Sequence, residues 1–93
     1  MSKIQEKQGR RHIYIPQGIW DSAPWKIGDS VSQRLDGEGR LRLEADPDGY
    51  KIQSDRTVSL NKTLADAVGL DPGEEGEWDV DIIDGDVQFY LRV

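Results

Sequence analysis

The sequence predicts a mainly β protein with two short helices, built as two copies of one unit that share a single small barrel. Three observations carry that expectation. Shifting the chain by 45 residues lays His12–Asp29 over Thr57–Glu74 with apolar positions in coincidence: Ile13 on Val58, Ile15 on Leu60, Ile19 on Leu64, Ala23 on Val68, Trp25 on Leu70. Gly28 falls on Gly73 and Asp29 on Glu74, so the punctuation repeats as well as the hydrophobic pattern. Each copy also opens on a run of period two and carries an Asp-Gly turn between alternating strands, the strongest short-range hairpin signal.

Taken in order, copy one begins with the alternating run Arg11–Ile15, whose period fits a half-buried strand. A helix follows Pro16; Gly18 lowers its propensity and Pro24 ends it after barely two turns. The chain then turns through Lys26–Asp29 into a hairpin, Val31–Leu35 and Leu41–Leu43, around Asp36-Gly37-Glu38-Gly39. Asp46–Gly49, rich in Asp, Pro and Gly, joins the copies, which gives repeats over 1–45 and 46–93 within one compact domain. In copy two the strand is Arg56–Leu60, and Asn61 is positioned as the N-cap of a helix with Leu64 and Val68 on one face and Gly69 at its C-terminal end. Asp71–Glu74 leads to the second hairpin, Trp78–Ile83 and Val87–Leu91, around Asp84-Gly85.

One such unit cannot bury its own sheet face, so the two are expected to pack into a common barrel. The expected core is Ile13, Ile15, Ile19, Val31, Leu41, Val58, Leu60, Leu64, Val68, Leu70 and Val80, with Trp20, Trp25 and Trp78 filling much of the rest. Lys3-Ile4-Gln5 recurs as Lys51-Ile52-Gln53, a triplet short enough to arise by chance. If the recurrence is structural, copy one holds three more residues before its first strand, in a flexible loop Glu6–Arg10. Lys7, Arg10 and Arg11 beside Gly9 suit contacts to phosphate, and arginine can also fork onto guanine edges; a frayed arm is the alternative.

Composition narrows the classes further. Apolar residues make 35% of the 93 and charged residues 32%, so the core is small and the surface highly charged. No apolar run approaches the roughly 20 residues of a membrane span, and no apolar stretch follows Met1, so neither a membrane association nor a signal peptide is expected. The absence of Cys removes disulfides, thiol chemistry and cysteine-based zinc sites. Net charge divides unevenly, +2 over residues 1–45 and −8 over 46–93, as if one face met a polyanion and another repelled it. Twelve of eighteen acids are Asp and only five of twelve bases are Lys, a balance that resembles proteins of salt-loving archaea or their viruses. A cytoplasmic protein is the expectation.

Ile15-Pro16, then Gly28-Asp29-x-Val31 twelve residues on, then an Asp-Gly hairpin, resembles the signature of the AbrB/MazE/SpoVT swapped-hairpin family of transcription regulators and antitoxins. The resemblance spans residues 12–44 and, more loosely, 57–92, where Asn61 stands for the Pro and Gly76 for the Val. Tandem copies in one chain are similar to the MraZ branch, in which two units form an intrachain pseudo-dimer. What the resemblance implies is a β-barrel of interlocked hairpins that binds double-stranded DNA through basic residues at the start of each copy. The family carries a Gly-Arg ahead of its Ile-Pro strand; here Gly9-Arg10-Arg11 lies in that region, while the position that aligns with the arginine is His12. Together with the basic loop and the first arginine of copy two, the expected DNA-contacting set is Lys7, Arg10, Arg11, His12 and Arg56.

Other clusters are weaker. His12 is the only histidine and has no partner at metal-ligand or triad spacing. Asp79, Asp81, Asp84 and Asp86 lack EF-hand spacing, and an acidic surface accounts for them. Arg34, Arg40 and Arg42 could extend a DNA surface, but pairing with Glu38 and Glu44 is the expectation. No phosphate loop or nucleophile elbow occurs, so no enzyme, metal or cofactor is expected. The expectation is a DNA-binding regulator in monomer–homodimer equilibrium. A type II antitoxin, which would bind a toxin as well as DNA, and an acidic interaction module that has lost DNA binding are the alternatives. Antitoxins of this family carry a long C-terminal tail, whereas the last expected strand here stops two residues short of Val93, which favours the regulator.

Overall fold

Local sequence punctuation sets most element boundaries. The computed structural model describes residues 2–93. Copy one comprises β1 (Ser2–Lys3), β2 (Gln5–Lys7), β3 (Arg10–Tyr14), α1 (Gln17–Ser22), β4 (Ser30–Leu35) and β5 (Leu41–Ala45). Copy two comprises β6 (Tyr50–Lys51), β7 (Thr57–Ser59), α2 (Lys62–Val68), β8 (Glu75–Ile83) and β9 (Asp86–Arg92). The chain is thus mainly β with two short helices. None of the described helices is long and apolar enough to cross a membrane.

The helix ends follow local chemistry. Asn61 accepts from the Leu64 amide at 3.0 Å, and Gly69 closes α2 in the left-handed region at φ 81°. α1 stops at Ala23, held extended at ψ 149° because Pro24 follows. Asp84-Gly85 joins β8 to β9 with φ of 52° and 83°, as a type I′ hairpin turn requires.

All pairings are antiparallel. Six strands form a curled half-barrel in the order β1-β8-β9-β5-β4-β6, and three form a second sheet in the order β2-β3-β7. The registers carry the internal repeat. β3 meets β7 through His12↔Ser59, Ile13↔Val58 and Tyr14↔Thr57, a set that the 45-residue shift maps onto itself. Flanking bonds obey the same shift: the Leu60 amide donates to the Arg11 carbonyl at 2.8 Å, and the Ile15 amide to the Arg56 carbonyl at 2.9 Å. β5 meets β9 through Leu41↔Leu91, Arg42↔Tyr90 and Leu43↔Phe89, a set closed under a shift of 48. The step from 45 to 48 is taken up in the second hairpin, where β8 has nine residues against six in β4 and β9 has seven against five in β5.

The recurring triplet holds equivalent places. Ile4 exchanges bonds with Glu74 and Gly73 at 2.8 Å each; Ile52 does so with Asp29 at 2.8 Å and Gly28 at 3.1 Å, and both side chains are buried. They join Ile13, Ile15, Val31, Leu41, Val58, Leu60, Leu70 and Leu91 in one core drawn from both halves. Trp25 is buried with its ring 5.0 Å from that of Phe89, while Trp20, Trp78, Ile19, Leu64 and Val68 pack half-buried at the margin.

Several expectations change: Ile19, Leu64 and Val68, expected in the core, are only half-buried at its margin. Val80, expected in the core, is 45% exposed. It lies on β8, and β1 covers that strand only at Glu75 and Gly76, so the outer edge farther along is open. Residues 6–10, expected as a flexible loop, are instead a hairpin in which Gln5, Glu6 and Lys7 pair with His12, Arg11 and Arg10. Gln8-Gly9 turns it with φ of 54° and 76°, the same primed geometry that Asp-Gly provides elsewhere.

Candidate nucleic-acid interface

Side chains alternate across a strand, so Arg10, His12 and Tyr14 share the outer face of β3 while Arg11 and the buried Ile13 point the other way. The β2 register sets Lys7 beside Arg10 and Gln5 beside His12, and β7 adds Ser59 on the other side of His12. A shallow depression of about 670 Å³ lies along this face, lined by Lys7, Arg10, His12, Asp55, Thr57 and Ser59 among others. Among the described residues Arg10 has no carboxylate within 4 Å.

Asp55 is the acid of this face. Its Oδ1 accepts from the Thr57 hydroxyl at 2.7 Å and the Thr57 amide at 3.2 Å, and its Oδ2 lies 3.9 Å from Lys7. The Thr57 hydroxyl, then the Thr57 amide and the Lys7 ammonium, hold the carboxyl below its ordinary range. His12 is pushed below 6.5, first by partial burial and then by Lys7 and Arg10, against the opposing pull of Asp55. Its Nδ1 is 3.4 Å from the Ser59 hydroxyl.

Arg11 and Arg56 are 45 residues apart and stand at equivalent places, yet they are held differently. The Arg11 side chain is 14% exposed and reaches α2, with Nη1 2.7 Å from Asp66, off-axis for a hydrogen bond, and Nη2 3.9 Å from Asp71. Arg56 reaches α1: its Nη1 donates to Gln17 Oε1 at 2.6 Å, and Gln17 Nε2 donates on to Asp21 at 2.6 Å. Arg56 also donates to the Tyr14 hydroxyl and stacks over that ring 4.9 Å from its centroid, with the Trp20 ring at 6.0 Å. Tyr14 therefore brings Arg56 to the end of the outer face of β3.

The structure thus collects Lys7, Arg10 and His12 on one surface, adds Arg56 at its margin, and turns Arg11 inward. Sequence reasoning missed Gln5, Tyr14 and Ser59, although the step of two from Arg10 through His12 to Tyr14 was there to be counted. Arg34, Arg40 and Arg42 pair with Glu38 and Glu44 as expected, and Arg40 and Arg92 also take aspartates that the sequence did not point to. Arg40 is within 3.5 Å of Asp36, Glu38, Asp79 and Asp81 and lies 3.8 Å over the Tyr90 ring, while Arg34 and Arg42 meet Glu44. Arg92 pairs with Asp79 at 2.8 Å. Among the described residues no group of three His, Cys, Asp or Glu side chains is gathered to hold a metal ion.

Comparison with protein-family models, with curated proteins and with solved structures returned no match.

Proposed function

We propose that this protein is a DNA-binding transcription regulator of the AbrB/MazE/SpoVT type, acting in the cytoplasm, with its two repeats arranged as a swapped-hairpin pseudo-dimer within one chain. The two registers closed under shifts of 45 and 48 support that arrangement, since pairs that map onto themselves are what a two-fold axis through each crossing requires. Duplex DNA is contacted by the outer face of β2, β3 and β7.

The observation that carries the reading is the juxtaposition of Lys7 and Arg10 on a hairpin, with Arg10 free of carboxylates and Arg56 farther along the same strip. From Arg10 to Tyr14 the strip runs roughly 14 Å at about 3.4 Å per residue, room for two or three phosphates of one strand or for an entry into a groove. Lys7 supplies a phosphate contact, Arg10 a phosphate or a guanine edge, His12 a neutral donor or acceptor, and Arg56 a phosphate contact at the far end. Arg11 acts from behind, holding β3 against α2. A single strip gives a small footprint, so two chains are expected to occupy one symmetric site.

Fluorescence anisotropy on the protein's own promoter duplex across salt tests this. Arg10→Ala is expected to weaken binding by about 1–3 kcal/mol if the guanidinium meets a base and by less if it meets phosphate. The salt dependence should be shallow, on the order of two to four counterions per chain. Absence of wild-type binding at low salt would overturn the proposal and favour an interaction module, the reading supported by the acid pairing of Arg11, Arg40, Arg42 and Arg92.

A further inference from the structure

The second hairpin carries a surface that DNA contact does not use. β1 pairs with β8 only at Glu75 and Gly76, and among the described residues no backbone or side-chain group bonds to the outer edge of β8 from Trp78 to Ile83. The Ile4 amide donates to the Glu74 carbonyl on that side. By the two-residue alternation, the amides and carbonyls of Trp78, Val80 and Ile82 face the same open edge. Their side chains stand on one face, where Ile82 is 74% exposed and pairs with the exposed Val87. The opposite face of the strand carries Glu77, Asp79 and Asp81. A strand edge of this length, with no proline in it and its charges confined to the face opposite Val80 and Ile82, is a template for another strand of complementary charge.

We propose that the outer edge of β8 docks an extended segment of a partner protein in which apolar and basic residues alternate. Added antiparallel or parallel to β8, such a segment satisfies the free backbone groups, sets its apolar residues beside Val80 and Ile82, and sets its Lys or Arg residues beside Glu77, Asp79 and Asp81. Charge selects this occupant over a second copy of the chain. Two β8 edges paired with each other would bring Glu77, Asp79 and Asp81 of both copies onto one face, and like charges directly opposite are destabilising. Arg40 and Arg92 offset only part of that charge. The copy-one counterpart differs in length and in what its face already binds. β4 is six residues long, and on its face Gln33 donates to the Ser59 carbonyl at 2.7 Å and accepts from the Asn61 amide at 2.9 Å.

The probe is a fluorescein-labelled nine-residue peptide alternating Val with Lys, compared with a Val–Glu peptide and with a Val–Lys peptide N-methylated at alternate residues. Anisotropy with the full chain should show saturable binding of the Val–Lys peptide, at least tenfold tighter than either control. Amide hydrogen exchange should slow at Val80 and Ile82. Ile82→Lys, checked for native far-UV circular dichroism, should lose tenfold or more in affinity, and Val80→Pro should abolish binding by removing an edge donor. Lys62→Ala, at the start of α2 and outside β8, should leave it unchanged. Equal binding of the N-methylated peptide, equal binding of the Val–Glu peptide, or no binding of the Val–Lys peptide would overturn the proposal. So would a dimer of the chain alone that Ile82→Lys dissociates, because the second copy would then be the occupant. DNA affinity measured on the same variants is expected to be unchanged, which keeps this test separate from that of the DNA-contacting strip.

Discussion

Arg11 and Arg56 compare the two halves at one position. Arg11 lies within β3 and Arg56 in a left-handed bend (φ 61°) just before β7, yet each carbonyl accepts from the strand of the other copy and each guanidinium reaches the helix of the other copy. Arg11 meets Asp66 directly and is mostly covered; Arg56 meets Asp21 only through Gln17 and stays on the surface over Tyr14. The bonds between the copies thus repeat, while the local backbone and the charge carried on it do not. Where copy one has Arg10 on the outer face, the 45-residue shift places Asp55, so the second half puts an acid where the first puts a cation. A duplicated scaffold can in this way keep one structural clamp in each half and leave one face for a polyanion.

The largest expected effect tests the equivalence of the scaffold. Ile4→Ala and Ile52→Ala should each cost about 2–5 kcal/mol, as for other buried aliphatic truncations, and should agree with each other within about 1 kcal/mol. Urea unfolding of the two variants measures this; a cost near zero for Ile4 alone would show that the N-terminal triplet is not part of the shared core. Next comes the clamp. Arg11→Ala should cost about 1–2 kcal/mol, between the limits for exposed and buried pairs, and Arg56→Ala less than about 1 kcal/mol because its partners are exposed. Equal losses in thermal unfolding would remove the distinction between the two arginines.

A smaller effect concerns the acid in the strip. Asp55→Asn keeps an acceptor for Thr57 but removes the charge beside Lys7, and DNA affinity at low salt should rise by about two- to fivefold, with a steeper salt slope. The smallest effect is on pH dependence. His12 has its folded pKa below 6.5, so the unfolded chain takes up the proton first and stability falls as pH drops through the window just below 6.5. Asp55 is lowered from 3.8, so its contribution is present above that value and is lost as pH falls below it. Both act in the same direction on acidification. An NMR titration of the His12 ring should give a midpoint below 6.5, and Asp55→Asn should move that midpoint further down, because the carboxylate is what favours the imidazolium.

Much of the fold was legible because its signals are local. Asn61 and Gly69 bracket α2, Pro24 ends α1, and Asp84-Gly85 sets the second hairpin, each through φ, ψ or a bond within four residues. The β2–β3 hairpin was not legible. Gln8-Gly9 is a weak turn signal, and Gln5–Lys7 is polar on both faces, so no period marks it as a strand until β3 is fixed against β7. Val80 misled for the opposite reason: its apolar alternation is that of a core strand, and only the short reach of β1 leaves it uncovered.

The candidate site divides the same way. The sequence by itself determined that cations gather at the start of copy one, that acids gather in copy two, and that a 45-residue repeat relates the halves, because composition, spacing and period are properties of neighbours along the chain. Which cations stay available was decided only by the tertiary structure. Arg11 is taken by Asp66, 55 residues away, and Arg56 by Gln17, 39 residues away, whereas Arg10 and Lys7 meet across a turn on an open face. Pairing at such separations depends on where the strands cross, and one residue of register separates the face that meets solvent from the face that meets the helix.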